Sequence, residues 1–241
     1  MKINFIKAFE DNYIWTIEKG DKVILIDPGE ARPCLKYLED KNLYAILLTH
    51  KHMDHVGGVK ELKEKFKNAT VYGPIETENL NDKTLKENDE IEILGYIFKV
   101  LKTNGHTEEH ISYLAENNLF CGDTIFSSGC GRVFTGDYQS SFESVQKIKN
   151  LDKNILIYPA HEYTIDCLKS SKRIIKDKVM DDAIDEAKEK ISKGLPSLPT
   201  SVQKEFLINP FFLAKDLNEF KEFINIKNWL EIQKSQFLIL N

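Results

Sequence analysis

The chain has 241 residues, enough for one large domain or one domain with a small appendage. Its formal net charge of -5 argues against a nucleic-acid partner, which calls for a basic surface, and its ordinary apolar and charged fractions argue against disorder. No stretch approaches the apolar length of a membrane span, the first residues lack a signal-peptide pattern, and Cys34, Cys121, Cys130 and Cys167 form no C-x-x-C pair. The expectation is a reduced, cytoplasmic protein with no membrane partner.

Residues 2–8, 13–18 and 22–27 read as strands, with "EDNY" and "EKGDK" as the turns between them. "VILIDPG" is a buried strand ending in a turn, and "PCLKYLEDKN" predicts a short helix with Pro33 near its start. "YAILLTH" is an apolar strand that runs directly into "THKHMDHVGG". "GGVKELKEKF" carries apolar residues at helical spacing, and a strand follows around "ATVYGP". "IEILGYIFKVLKT", "HISYLAE" and "NLFCGDTIF" are strand-like. A helix near 140–150 and a buried strand at "NILIYPA" complete this part. From about residue 165 onward the pattern is helical, with breaks at "KGLPSLPT" and "NPFF" and no convincing strand. The division expected is a mixed, β-rich catalytic domain over 1–164 and a helical substrate-binding domain over 165–241. No repeat or low-complexity tract stands out.

The histidine cluster is a solvated turn, one metal site, or parts of two. Along an extended strand end side chains alternate, which puts His50, His52 and Asp54 on one side and His55 elsewhere. One tetrahedral ion would struggle to use all four, and two neighbouring ions fit better. Further ligands are expected from distant strand ends: His106 in "NGHTEEH", Asp123 in "FCGDTIF" and His161 in "YPAHEYT". His110, which begins a strand of its own, is expected to support rather than ligate.

With "DNYIW", "THKHMDHVGG", "GHTEEHISY", "GDTIFSSGCGRVF", "HEYT" and "NPFF" in that order, the chain resembles the metallo-β-lactamase superfamily. More narrowly it resembles glyoxalase II, the hydroxyacylglutathione hydrolases. The fold this implies is α+β, an αββα sandwich followed by a C-terminal helical domain. The resemblance implies one ion held by His50, His52 and His106, another by Asp54, His55 and His161, and an Asp123 carboxylate bridging both. The ions implied are divalent, zinc first, with iron or manganese as alternatives. Arg132, Phe134 and Tyr163 fall at the family's substrate-contact positions. Asp27 is expected to orient a ligand histidine or simply to form a turn. In the C-terminal helix the family grips the substrate carboxylate with an arginine and a lysine three residues later. Lys234 matches the lysine, but Glu231 stands at the arginine position.

Two such ions lower the pKa of a shared water toward neutrality, and the resulting bridging hydroxide attacks a thioester carbonyl. Asp54 and Asp123, with the metal-bridging hydroxide, are the catalytic groups the resemblance implies. A thiolate leaves with a conjugate-acid pKa of roughly 8.5, so no strong general acid is required. The implied substrate is a small thioester, a glutathione conjugate such as lactoylglutathione. The alternatives are another thiol carrier, a β-lactam or phosphodiester hydrolase, and a non-hydrolytic di-iron redox or binding protein. His52 speaks against the di-iron oxidoreductases, which usually carry an acidic residue there.

Overall fold

The computed structural model describes residues 1–226. Strands β1 (Lys2–Ala8), β2 (Asn12–Lys19) and β3 (Lys22–Ile26) form an antiparallel meander. After helix α1 (Ala31–Tyr37), strand β4 (Asn42–Leu47) adds parallel to β3. Helices α2 (Met53–Val56) and α3 (Val59–Lys65) lead to β5 (Thr70–Gly73), and a 3-10 turn over Ile75–Thr77 leads to β6 (Lys83–Thr84). The first sheet runs in the order β1-β2-β3-β4-β5-β6.

The second sheet begins with β7 (Glu90–Ile93), β8 (Tyr96–Lys102), β9 (Ile111–Ala115) and β10 (Asn118–Gly122). A small ribbon of β11 (Ile125–Phe126) and β12 (Gly129–Cys130) precedes helix α4 (Tyr138–Lys149) and strand β13 (Leu156–Pro159). Then come α5 (Thr164–Ser171), α6 (Val179–Ser192), β14 (Thr200–Ser201), α7 (Val202–Ile208), α8 (Pro210–Leu213) and α9 (Leu217–Ile224). The order of this sheet is β14-β13-β10-β9-β8-β7.

Side-chain parity explains the layering. In β3, Ile24 and Ile26 face the space between the sheets, while Val23 and Leu25 face α1 and α3. In β10, Phe120 points between the sheets, and Leu119 and Cys121 point to the opposite layer. Strands covered on both faces must be apolar at every position, which is why "VILI" and "LFC" are continuous apolar runs. The central core, with Trp15, Phe98, Tyr113 and Phe120, lies between the sheets. The result is helix, sheet, sheet, helix.

Described helices after residue 164 share an apolar core with the second sheet. Val202, Phe211 and Phe220 share one apolar cluster with Leu119, Val145 and Ile157. Glu205 of α7, fully buried, accepts hydrogen bonds from Ser127 Oγ (3.0 Å), Ser128 N–H (2.8 Å), Thr200 Oγ1 (2.6 Å) and Asn209 Nδ2 (2.8 Å). This region also contains a strand that the sequence does not reveal: Thr200–Ser201 pairs with β13. Two residues are too few for any hydrophobic period. The predicted helix at "PCLKYLEDKN" is shifted and shortened to Ala31–Tyr37, placing Pro33 inside its first turn, where a missing N–H costs nothing.

The carboxyl ends of β4, β8, β10 and β13 lie at a common edge, since β10 and β13 are parallel and β8 and β10 both run antiparallel to β9. Backbone hydrogen bonds join the sheets at that edge: Ile111 N–H to Thr49 O (2.9 Å), Tyr13 N–H to Ala160 O (2.7 Å) and Glu162 N–H to Asp11 O (2.9 Å).

Candidate metal centre

Three histidine nitrogens converge first. His52 Nδ1 lies 3.0 Å from His50 Nε2 and 3.0 Å from His106 Nε2. The outer nitrogens fix the tautomers of two of these rings. His106 Nδ1–H donates to Arg132 O at 2.8 Å. Thr49 Oγ1–H donates to Asp27 Oδ2 (2.6 Å), so the same oxygen accepts from His50 Nδ1–H at 3.0 Å. Both Nε2 atoms therefore point lone pairs inward, toward a third nitrogen. Burial, with the neighbouring His55 and His110, pushes the His50 imidazole well below its ordinary pKa. Burial and His106 bring His52 down to about 4. These are neutral rings, the form that ligates a metal.

A second group lies alongside. Asp54 Oδ2 is 3.4 Å from His55 Nε2 and 3.3 Å from His161 Nε2. Here too the outer nitrogens are committed, His55 Nδ1–H to Asp27 Oδ2 (3.1 Å) and His161 Nδ1–H to Asp11 Oδ1 (2.7 Å). Asn12 Nδ2 donates to Asp54 Oδ2 at 3.1 Å. Burial lowers the pKa of His55, but the carboxylates of Asp54, Asp123 and Asp27 outweigh it and raise the pKa well above the ordinary value. This corner calls for positive charge.

Asp123 spans the two groups. Its Oδ1 is 3.5 Å from His55 Nε2 and 3.4 Å from His161 Nε2, while its Oδ2 is 3.4 Å from His106 Nε2. Burial raises the carboxyl pKa, and His161 and His55 overcome that to hold it well below the usual range. His55 Nε2, His161 Nε2 and Asp123 Oδ1 are buried without hydrogen-bond partners. Orphaned buried polar atoms are costly, and a cation between them would satisfy all three. The donor set, imidazole and carboxylate, suits divalent ions of the zinc type.

One expectation is corrected. Asp54 and His55 do not continue an extended strand: the chain turns helical at Met53, just after an extended His52 (φ -64°, ψ 144°). Successive residues on a helix are about 100° apart, so Asp54 and His55 both reach the site. His110 stays out of the cluster. Its Nε2 accepts from Asp123 N–H at 3.3 Å, and Nδ1 lies 3.1 Å from Thr103 Oγ1. Asp27 could form a third group with His50 and His55. Its oxygens already accept from Thr49 N–H (2.7 Å), the Thr49 hydroxyl and His55, so it orients Thr49 and His55.

Two glycines permit this packing. Gly122, at φ +49°, sits where a Cβ would lie 2.3 Å from Thr49 Oγ1 and 2.8 Å from His110 Nε2. A Cβ on Gly131 of "GCGR" would fall 1.7 Å from Asp123 O.

Residues 9–161 match the metallo-beta-lactamase superfamily. The chain is 42% identical over 224 residues to hydroxyacylglutathione hydrolase of Actinobacillus pleuropneumoniae serotype 5b (strain L20), covering 91% of this chain and 95% of that one. It is 42% identical over 223 residues to hydroxyacylglutathione hydrolase of Klebsiella pneumoniae subsp. pneumoniae, covering 90% and 89%. The chain belongs to the hydroxyacylglutathione hydrolase family. Its fold is also that of ETHE1 from Myxococcus xanthus, with a TM-score of 0.73, 25% identity and coverage of 94% and 92%.

The positions that resemble substrate contacts in hydroxyacylglutathione hydrolases lie beside the cluster. The Phe134 ring centroid is 5.2 Å from those of both His52 and His106, and the Arg132 guanidinium stands 4.8 Å over Phe134. Tyr163 stacks on His161 at 4.8 Å and 9°. Lys234 and Glu231 lie outside the described residues. Asp11, Asn12 and Thr49 escape the sequence reading. "EDNY" and the residue before His50 look like ordinary turn and strand-end polar residues, and their partners are distant in the chain.

Proposed function

We propose that this protein is a dinuclear-metal thioester hydrolase that cleaves S-(2-hydroxyacyl)glutathione, such as lactoylglutathione, to a 2-hydroxy acid and free thiol. The observation that carries this reading is Asp123, whose two oxygens face two different histidine groups. The family relationship supports the same activity.

In this reading His50, His52 and His106 would hold one ion, Asp54, His55 and His161 would hold the other, and Asp123 would contribute to both. Bound there, two divalent ions, zinc first with iron or manganese as alternatives, supply an acidified water as nucleophile and positive charge for the oxyanion. The protein's part is positioning. Asp11, Asp27 and the Arg132 carbonyl hold imidazole tautomers, and Asn12 occupies one lone pair of Asp54. Arg132, Phe134 and Tyr163 wall the substrate beside the centre. The helices from residue 165 onward form the substrate-binding unit, a division of labour within a shared core.

Glu231 favours a second reading, a different thiol carrier. A glutamate offers no donor to a carboxylate at neutral pH, and Lys234 alone is a point charge in place of a planar fork. The test is kcat/KM for lactoylglutathione beside other thioesters, a β-lactam and a phosphodiester. A clear preference for lactoylglutathione is expected. A preference for another thioester moves the assignment to that carrier, and turnover of only the β-lactam or the phosphodiester refutes the thioesterase reading.

A further inference from the structure

Beyond the ligands and their direct partners, one more carboxylate is built into the edge of the site. Strand β5 lies beside β4, with Leu48 N–H donating to Tyr72 O at 2.8 Å, and it ends at Gly73. Pro74 then opens the 3-10 turn, and Thr77 Oγ1 and Asn81 Nδ2 hold its carbonyl at 3.0 and 2.8 Å. This braced turn delivers Glu76, whose side chain is only 7% exposed.

Glu76 Oε1 accepts from Thr107 Oγ1–H at 2.6 Å and from Lys51 N–H at 3.3 Å. Its Oε2 accepts from Glu109 N–H at 3.2 Å, with the Lys51 ammonium 3.9 Å away. Lys51 lies between His50 and His52, and Thr107 follows His106. Lys51 Nζ also pairs with Glu108 at 2.7 Å, a second link between the same two segments. One buried carboxylate thus joins both stretches of chain that supply the three-histidine group. The stretch that supplies His161 is held separately, by Asp11 and by Glu162, which accepts from Tyr13 OH (2.9 Å) and Ser197 N–H (2.8 Å).

We infer that Glu76 is a positioning residue that sets the spacing of His50, His52 and His106, and so tunes the affinity of one of the two ions. The inference rests on the two-ion reading above. Groups that hold metal ligands in place typically affect affinity by about 10–100-fold. A buried clamp on one group acts on one ion.

The test uses the full-length, metal-loaded protein and its Glu76→Gln variant. Glutamine keeps the shape, but in either orientation its NH2 turns toward a backbone N–H, that of Lys51 or of Glu109, which then loses its acceptor. Chelator competition on the zinc form should show one equivalent of two released about tenfold or more readily, the other unchanged. In the cobalt form, the weakened absorption should be the component lost in His52→Ala, and the component lost in His161→Ala should persist. Thr107→Val should shift the same ion in the same direction, by less. The inference is overturned if both ions are held as in the unmodified protein. It is equally overturned if both loosen together while the ion-free variant melts lower, the signature of a general structural role. Fewer than two ions in the unmodified protein would overturn the underlying reading, and Glu76's role with it.

Discussion

His161 Nδ1–H donates to Asp11 Oδ1 at 2.7 Å, joining the turn after β1 to the loop after β13. The bond leaves His161 Nε2 with its lone pair toward Asp54 and Asp123. Asp11→Ala removes that constraint and is expected to weaken binding at the Asp54–His55–His161 group by about 10–100-fold. Asp11→Asn keeps an acceptor oxygen and should lose less. Zinc affinity of the three proteins, measured by chelator competition, ranks them.

Asp123 and His110 are adjacent in space but differ in role. Asp123→Ala should cost about half or more of the bound metal and nearly all hydrolysis, because its two oxygens face both histidine groups and would serve both proposed ions. His110→Ala should keep the metal largely in place. Its cost falls on the fold, since it leaves Asp123 N–H without its acceptor and opens a buried cavity. A loss of about 2–4 kcal/mol in unfolding free energy is expected. Metal analysis with denaturant titration separates the two, and equal metal loss in both would show that the ligand assignment is wrong.

Gly122→Ala tests the close packing behind Asp123. A left-handed backbone at a non-glycine residue costs about 1–2 kcal/mol, and the new methyl would also overlap Thr49 Oγ1 and His110 Nε2. The variant should therefore be less stable by more than the backbone cost alone. It should also bind metal more weakly, because Thr49 orients His50. Thermal melting with and without metal reads both effects.

Glu205 on α7 accepts from four donors, two of which, Ser127 Oγ and Ser128 N–H, lie in the turn of the ribbon. Two are the hydroxyls of Thr200 and Ser127 on Oε1, which can rotate to accept from an amide. Glu205→Gln, with its NH2 on that side, should cost only about 1 kcal/mol. Glu205→Ala strands buried donors and leaves a cavity, so about 3 kcal/mol or more is expected. Equilibrium unfolding compares them, and equal losses would show that the hydroxyls do not reorient.

Much of this architecture is legible in the sequence because its signals are local. "VILI" and "AILL" are continuous apolar runs because both of their faces are buried, and H-x-H-x-D-H packs four candidate ligands into six positions. What stays hidden is set by distance along the chain. Asp11 meets His161 across 150 residues, and Glu76 meets Thr107 across 31. Asp11 sits in "EDNY", which reads as a turn, and no motif marks Glu76. The four-residue helix Met53–Val56 is too short to show a period, so the cluster looks like a strand end. The helix packs against Gly29, which lies far back in the chain, beyond any local window of sequence.

The most direct measurement of the two-ion thioesterase claim is a metal titration of the stripped protein, following lactoylglutathione hydrolysis against equivalents of zinc added per chain. Activity should be absent without metal and should rise to a plateau as the second equivalent binds. The same titration of Asp123→Ala should stay flat. Full activity in the stripped protein, or a plateau reached with one equivalent bound, would contradict the account.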